Sequence, residues 1–295
     1  MILCCGEALI DMIPVPNGQG DDAFVPHCGG AVFNTAIALG RLGVRTGLLT
    51  GMSNDMFGQQ LSAALKASNV DTAGVIISAR PSTLAFVRLV NGHATCSFFD
   101  NGSAGRMLMS DDMPKLSDDV SALYFGGISL ACEPAADAYA ALLEREGDGR
   151  AVMIDPNIRP AFIEDEDRYR ARLSRMFTKA DIVKISDEDL NWIGPARLSL
   201  REKVNSILDA GVSLVILIRG DEGAYGYQRD GEAVHVAAMK VDIVDTVGAV
   251  DTFNAGVIAK LAELGLLRKD TLANLTADAL STALTHGARV AAVTV

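Results

Sequence analysis

Asp251 has the clearest chemical prospect in this chain, because it stands where a small-residue turn opens into a helical pattern. The stretch reads Val244-Asp245-Thr246-Val247-Gly248-Ala249-Val250-Asp251-Thr252-Phe253-Asn254-Ala255-Gly256 and runs on to Glu263. At such a junction the first N–H groups are unpaired and the helix dipole is positive, which suits a phosphate whose negative charge moves during transfer. Two jobs are open to an aspartate there. It can satisfy the helix start, the plainer role for an isolated Asp, or it can take a proton from a substrate hydroxyl as general base.

Two further segments have the same double reading. Gly29-Gly30-Ala31-Val32-Phe33-Asn34-Thr35-Ala36 is either a tight turn and cap or a place where backbone comes close to a ligand. Asp155-Pro156-Asn157-Ile158-Arg159-Pro160 follows an apolar run, and ligands of open α/β sheets gather beyond strand ends. A plain Asp-Pro turn, with Arg159 paired to a carboxylate, is the alternative there.

The elements that must position these residues are legible as an alternation. Apolar runs at 2–5, 46–50, 122–125, 151–154, 182–185 and 214–218 read as buried strands. Amphipathic stretches at 34–42, 57–66, 134–146, 168–178 and 200–210 read as helices between them. This predicts an α/β fold with a mostly parallel central sheet and helices on both faces. The alternation breaks at 84–90 with 94–99, joined through Asn91-Gly92, and at 224–227 with 233–236, joined through Asp230-Gly231. Both predict hairpins. The first, with residues around 12–25, is expected to form a small sheet that closes over a ligand as a lid. One domain over 1–295, with lid insertions at roughly 12–28 and 83–102, is the expected organisation.

Composition narrows the partners. The net charge of -11, with both signs interspersed, argues against a phosphate-backbone partner, which needs clustered Lys and Arg. It leaves nucleotide binding open, since local N–H groups hold phosphate whatever the overall charge. Five cysteines without a CxxC pair suggest neither a disulfide framework nor a zinc site. Met1 to Pro14 lacks a basic n-region and meets Glu7 and Asp11 early, and no apolar run approaches a membrane span, so a cytoplasmic protein is expected.

The pattern D-T-x-G-A-x-D-x-F-x-A-G, on Asp245 to Gly256, resembles the signature of the ribokinase-like, or PfkB, carbohydrate kinases. The resemblance extends in order over essentially the whole chain. It implies an ATP-dependent sugar kinase with a small β lid, ATP and Mg2+ as cofactors, and in some relatives a monovalent cation such as K+. It also implies Asp251 as the base, and the backbone of Gly248, Ala249, Val250 and Asp251 as an anion hole, with Val250 where the family usually has Gly. Arg159 would neutralise phosphoryl charge. Asp11, Gly29, Gly30, Asn34, Asp155 and Asn157 would line the sugar pocket, since carboxylates and amides read polyols with paired acceptors and donors.

On the nucleotide side, Lys184-Ile185-Ser186-Asp187-Glu188-Asp189-Leu190 resembles the family's N-x-x-E segment, with Ser186 for Asn and Asp189 for Glu. Asp189 would organise Mg2+ through water. Arg219, Gly220 and Gly223 resemble the nucleotide loop, with Ile218 where many members have Thr or Lys. The helix expected over 277–292 would wall the adenine site near His286 or Gly287. Relatives of this kind continue past Val295 into a further strand. Within the family, segments such as G-E-A-L-I-D, G-G-A-V-F-N-T-A and D-P-N-I-R-P are most similar to bacterial fructokinases, which implies fructose as acceptor. The neighbouring expectations are 2-keto-3-deoxygluconate, another ketose or a nucleoside. From another class comes a catalytically silent sugar- or nucleotide-binding regulator, suggested by Val250, Ile218 and Asp189. A homodimer contact through the lid is expected as well.

Overall fold

The computed structural model describes residues 1–16, 22–90, 93–229, 231–239 and 248–294. The expected Asn91-Gly92 turn, Asp230, part of the first lid insertion and the Asp245-Thr246-Val247 portion of the signature lie outside the described residues.

The alternating runs assemble into one large sheet. From one edge its strands are Val234–Val236, Ala224–Tyr227, Leu214–Ile218, Ile182–Ser186, Ala151–Asp155, Ala122–Gly126, Ile2–Cys5, Thr46–Ser53 and Val70–Asp71, with Val75–Ser78 also pairing to Thr46–Ser53. Pairing is parallel except at the edge formed by the 214–236 strands. Burial on both faces explains why these strands read as unbroken apolar runs. Ile2 and Cys4 face one core with helices Ala31–Arg41, Met56–Ala67, Ala249–Glu263 and Ala277–Thr294. Leu3 and Cys5 face the other, with Ala135–Glu146, Glu166–Phe177 and Leu200–Asp209. The two-residue period of a strand divides these neighbours between the layers.

The second sheet has four strands in the order Asp22–Gly29, Leu9–Pro16, Leu84–Val90, His93–Phe99. Its middle pair is parallel and the outer pairs antiparallel. Register places His27, Asp11, Ala85 and Phe98 in one row across it, hence on one face. That face meets the large layer: Ala85 and Leu9 cluster with Ile128 and Cys132, and Phe98 packs edge-on to Phe162 at 4.2 Å between centroids. The opposite face carries Phe24, Phe86 and Phe99, linked by edge-to-face contacts at 5.1 and 5.3 Å.

Several boundaries differ from the sequence expectation for definite reasons. The first long helix begins at Ala31, not 34, because Glu7 Oε1 accepts the Ala31 N–H at 3.0 Å. That cap comes from 24 residues away, beyond any local pattern. Thr46–Ser53 runs three residues past the expected end because Thr50 to Ser53 pair with Val75–Ser78. A short helix, Asp187–Ile193, follows Ser186, whose hydroxyl accepts the Asp189 N–H at 3.0 Å.

The helices Ala249–Glu263 and Ala277–Thr294 cross closely because both carry glycine at the contact. A Cβ on Gly256 would lie 2.8 Å from Gly287 Cα, and one on Gly287 would lie 2.7 Å from Val257 Cγ2. The last glycine of the signature is thus a packing requirement. Gly256→Ala should force the pair apart, costing about 1–3 kcal/mol and lowering the thermal midpoint by roughly 3–10 °C. An unchanged melting curve would show that the crossing tolerates a methyl group.

Candidate active site

The carboxyl ends of the central strands, the N-terminus of Ala249–Glu263 and the face of the small sheet bearing Asp11 converge on one region. Gly248 makes the approach possible. It takes a left-handed conformation, φ 79° and ψ -4°, as the cap residue, so the chain turns directly into the helix. The N–H groups of Ala249, Val250 and Asp251 then face the open end of the helix, outside its own hydrogen-bond ladder. Val250 is already helical and 41% exposed. The backbone strain that a side chain at this position invites therefore falls on Gly248, where glycine bears it freely.

Asp251 is buried, 6% exposed, and its Oδ2 accepts from Asn34 Nδ2 at 3.0 Å. Its main-chain carbonyl accepts from the Thr35 hydroxyl at 3.2 Å. Burial pushes the Asp251 carboxyl up to about 7, against the lowering effect of the Asn34 hydrogen bond and with further raising by the Asp155 charge. A carboxylate held near neutrality beside an open helix N-terminus has the properties of a general base.

Asn34 owes its place to the glycine pair. Gly30 has φ 105°, and a Cβ there would lie 3.0 Å from the Glu7 carbonyl oxygen. At Gly29 a Cβ would lie 1.9 Å from Asp11 Oδ2, so only glycine leaves room for that carboxylate. Burial raises the Asp11 carboxyl to about 6, with His27 opposing the rise. Behind this turn the buried Glu7 accepts from the N–H groups of both Ala31 and Ser129, tying helix start to strand end. Sequence reading passed over Glu7 as a site-building residue.

A groove of about 680 Å³ is lined by Asp11, His27, Asn34, Gly248, Thr252 and Thr294, among others. Asp11, Gly29, Gly30, Asn34, Gly248, Ala249, Val250 and Asp251 thus come together. Asp155 lies deeper, 1% exposed, with its Oδ2 accepting from Lys184 Nζ at 2.9 Å and Asn254 Nδ2 at 2.7 Å. Asn157 takes φ 41°, one of the few side-chain-bearing residues described in a left-handed conformation, and turns the chain so that Ile158 is buried while Arg159 is exposed. Arg159 Nη1 donates to the Ile158 carbonyl at 3.1 Å.

The residues expected on the nucleotide side form separate groups. Ser186 caps the short helix, and Asp189 Oδ2 accepts from Ile158 N at 3.2 Å, linking it to the Arg159 segment. Burial raises the Asp189 carboxyl. Among the described residues no group of three His, Cys, Asp or Glu side chains is placed to hold a metal directly. The bond to Ile158 uses one Asp189 oxygen, and a contact from the other through water fits a hydrated cation. Arg219 pairs with Glu222 at 2.7 Å, while Gly220 and Gly223 take φ 48° and 100° around a short turn. His286 lies beside Lys260 and Glu263 and is lowered by burial, then by Lys260. Gly287 is buried at the helix crossing.

Known proteins resemble this chain over most of its length. A fructokinase of Rhizobium leguminosarum bv. trifolii is 51% identical over 284 residues, covering 95% of this chain and 85% of its own length. Fructokinase-1 of Zea mays is 31% identical over 270 residues, 89% of this chain and 83% of that protein. A crystal structure of fructokinase with bound ATP from Xylella fastidiosa superposes with a TM-score of 0.89 at 25% identity, covering 99% of this chain and 90% of that one. A Vibrio cholerae fructokinase double mutant in its fructose, ADP and potassium bound form gives 0.83 at 25% identity, covering 99% and 90%. The model of the pfkB family carbohydrate kinases matches residues 1–295, and the chain belongs to that family.

Proposed function

We propose that this chain transfers the γ-phosphoryl group of ATP to a hydroxyl of fructose. The observation that carries the reading is the pairing of a buried carboxylate near neutrality, Asp251, with the open first turn of its own helix behind Gly248. Asp251 takes the proton of the attacking hydroxyl. The N–H groups of the 248–251 backbone receive the charge of the transferred group, and the exposed Arg159 adds a cation. Most of the rate then comes from positioning and neutralisation rather than covalent chemistry.

Asp11 and Asn34 orient the sugar beside Gly29 and Gly30, with the Asp155 to Asn157 turn behind them. Phe98 shares Asp11's face, and the nearby Arg106 is engaged by Asp100 at 3.4 Å and Glu164 at 2.5 Å. Arg41 and His27 also line the groove, so the acceptor screen below decides between fructose and a carboxylated sugar such as 2-keto-3-deoxygluconate. Mg2+, which neutralises the triphosphate oxygens in kinases of this chemistry, fits a water-mediated site at Asp189, and Arg219, Gly220, Gly223 and His286 are on the proposed nucleotide side. A monovalent cation such as K+ belongs to the same proposal. So do a single kinase domain over 1–295 with the four-stranded sheet as its lid, and a cytoplasmic location. Among the described residues no helix is long and apolar enough to cross a membrane. The aromatic outer face of the small sheet, where Phe99 is 63% exposed, offers a homodimer contact.

A coupled ATP assay over fructose, ribose, adenosine and 2-keto-3-deoxygluconate tests the reading: fructose should give the largest kcat/KM, and a preference for any other acceptor replaces it. Asp251→Asn should retain the fold and lower kcat by roughly 100- to 10,000-fold. Near-normal turnover would remove Asp251 from the mechanism. Gly29→Ala should displace the Asp11 carboxylate and, like Asp11→Ala, raise the fructose KM by about 10-fold or more while leaving ATP affinity within about 3-fold. Calorimetry showing the reverse would invert the cleft. Val250→Gly should change kcat by less than about 5-fold, because a full anion-hole donor is worth roughly 100-fold or more. A gain of that larger size would identify the natural chain as an impaired kinase and favour the regulator.

A further inference from the structure

Beneath Asp251 lies a chain of buried polar contacts that the transfer step itself does not use. Lys184 stands between the apolar Val183 and Ile185 of its strand, 3% exposed, and its ammonium meets Asp155 Oδ2 at 2.9 Å. The same oxygen accepts from Asn254 Nδ2 at 2.7 Å, and Asn254 Nδ2 also reaches the Tyr124 hydroxyl at 3.0 Å. On the neighbouring helix the Thr35 hydroxyl lies 3.0 Å from the Ala31 carbonyl and 3.2 Å from the carbonyl of Asp251. Asn254 sits three residues after Asp251, so both side chains leave the same face of the helix.

Three adjacent strands, through Tyr124, Asp155 and Lys184, thus meet at Asn254 and grip the helix that carries the base. A buried ion pair is a poor source of stability, since desolvation consumes most of the Coulomb gain and apolar residues of equal volume do as well. What it supplies that apolar residues cannot is direction. Among the described residues no protein group bonds Asp155 Oδ1 or Asn254 Oδ1, so the contacts of both side chains run through Asp155 Oδ2 and Asn254 Nδ2.

We propose that Lys184 and Asn254 are positioning residues for phosphoryl transfer: through Asp155 they fix the height and rotation of the first turns of the Ala249–Glu263 helix, and so the placement of the Asp251 carboxylate against the sugar hydroxyl. The inference rests on the kinase reading of the site. It implies a loss in the transfer step and little loss in binding, because neither residue lines the groove with Asp11 and Asn34.

The test compares two variants with the wild type, using fructose and ATP. Asp155→Asn combined with Lys184→Met removes both charges and leaves no unpaired buried ion. Asn254→Ser leaves the ion pair intact and releases the helix. Both should lower kcat roughly 10- to 100-fold, and Asn254→Ser, which replaces no residue of the sugar pocket, should leave KM for fructose and ATP within about 3-fold. The double variant should also move the acid limb of the pH–rate profile. Asp251 is faced by the charges of Asp155, Lys184 and Glu7 and by the Asn34 amide, and its carboxyl is raised more by Asp155 than it is lowered by Lys184. With both gone the limb shifts to lower pH, while the loss of kcat at unchanged KM in Asn254→Ser, which alters no charge, is what a merely structural contact does not predict. Kcat within about 3-fold of wild type in both variants, with an unmoved limb, overturns the proposal while leaving a working fructose kinase. A wild type that phosphorylates no acceptor overturns the kinase reading and this inference with it.

Discussion

The hydrogen bond from Asn34 to the Asp251 carboxylate, 3.0 Å long and largely out of water, is the contact on which the site depends. It joins the helix that follows the glycine pair to the helix that follows Gly248, and so brings the proposed sugar-side and phosphate-side turns into one place. Each helix must begin at a particular residue for the bond to form. Ala31 is set as the first helical residue by Glu7 from the first strand's end, and Ala249 by the left-handed Gly248. The glycines of both turns are therefore conditions for a side-chain contact as well as for close approach by a ligand.

The electrostatics follow from the same packing. Burial alone raises a carboxylate, because the charged form loses water that protein atoms do not fully replace. Asn34 restrains that rise at Asp251 by donating to the ionised form, and Asp155 adds to it from below. The outcome is a carboxyl poised near neutrality, as the proposed base requires. Asp11, raised to about 6 by partial burial opposite His27, stays ionised at neutral pH and able to accept from hydroxyls.

Much of the fold was legible because parallel strands buried on both faces leave an unmistakable trace, and all six expected strands appear in the sheet. Local sequence was blind to what distant partners impose. The helix start at Ala31 depends on Glu7, and the extension of Thr46–Ser53 depends on pairing with Val75–Ser78. At the site, the signature pointed to Asp251 and Gly248, but composition around Asp251 could not separate a helix-start role from catalysis. The structure assigns the cap position to Gly248 and turns Asp251 toward Asn34. Lys184 left a signal that sequence reading did not use: a lysine inside Ile-Val-Lys-Ile-Ser on a buried strand requires a buried acid, and Asp155 ends the neighbouring strand.

The central claim is that Asp251 works as a base whose protonation near neutrality limits the reaction. The most direct measurement is kcat/KM for fructose in the wild-type enzyme across about pH 5 to 9 at fixed ionic strength, which reports the essential groups of the free enzyme. The account predicts a plateau on the alkaline side and a fall approaching tenfold per pH unit below about 7, the value to which burial raises this carboxyl. A profile that stays flat down to about pH 5 would contradict it, because a carboxyl protonated at that pH could accept no proton from the sugar.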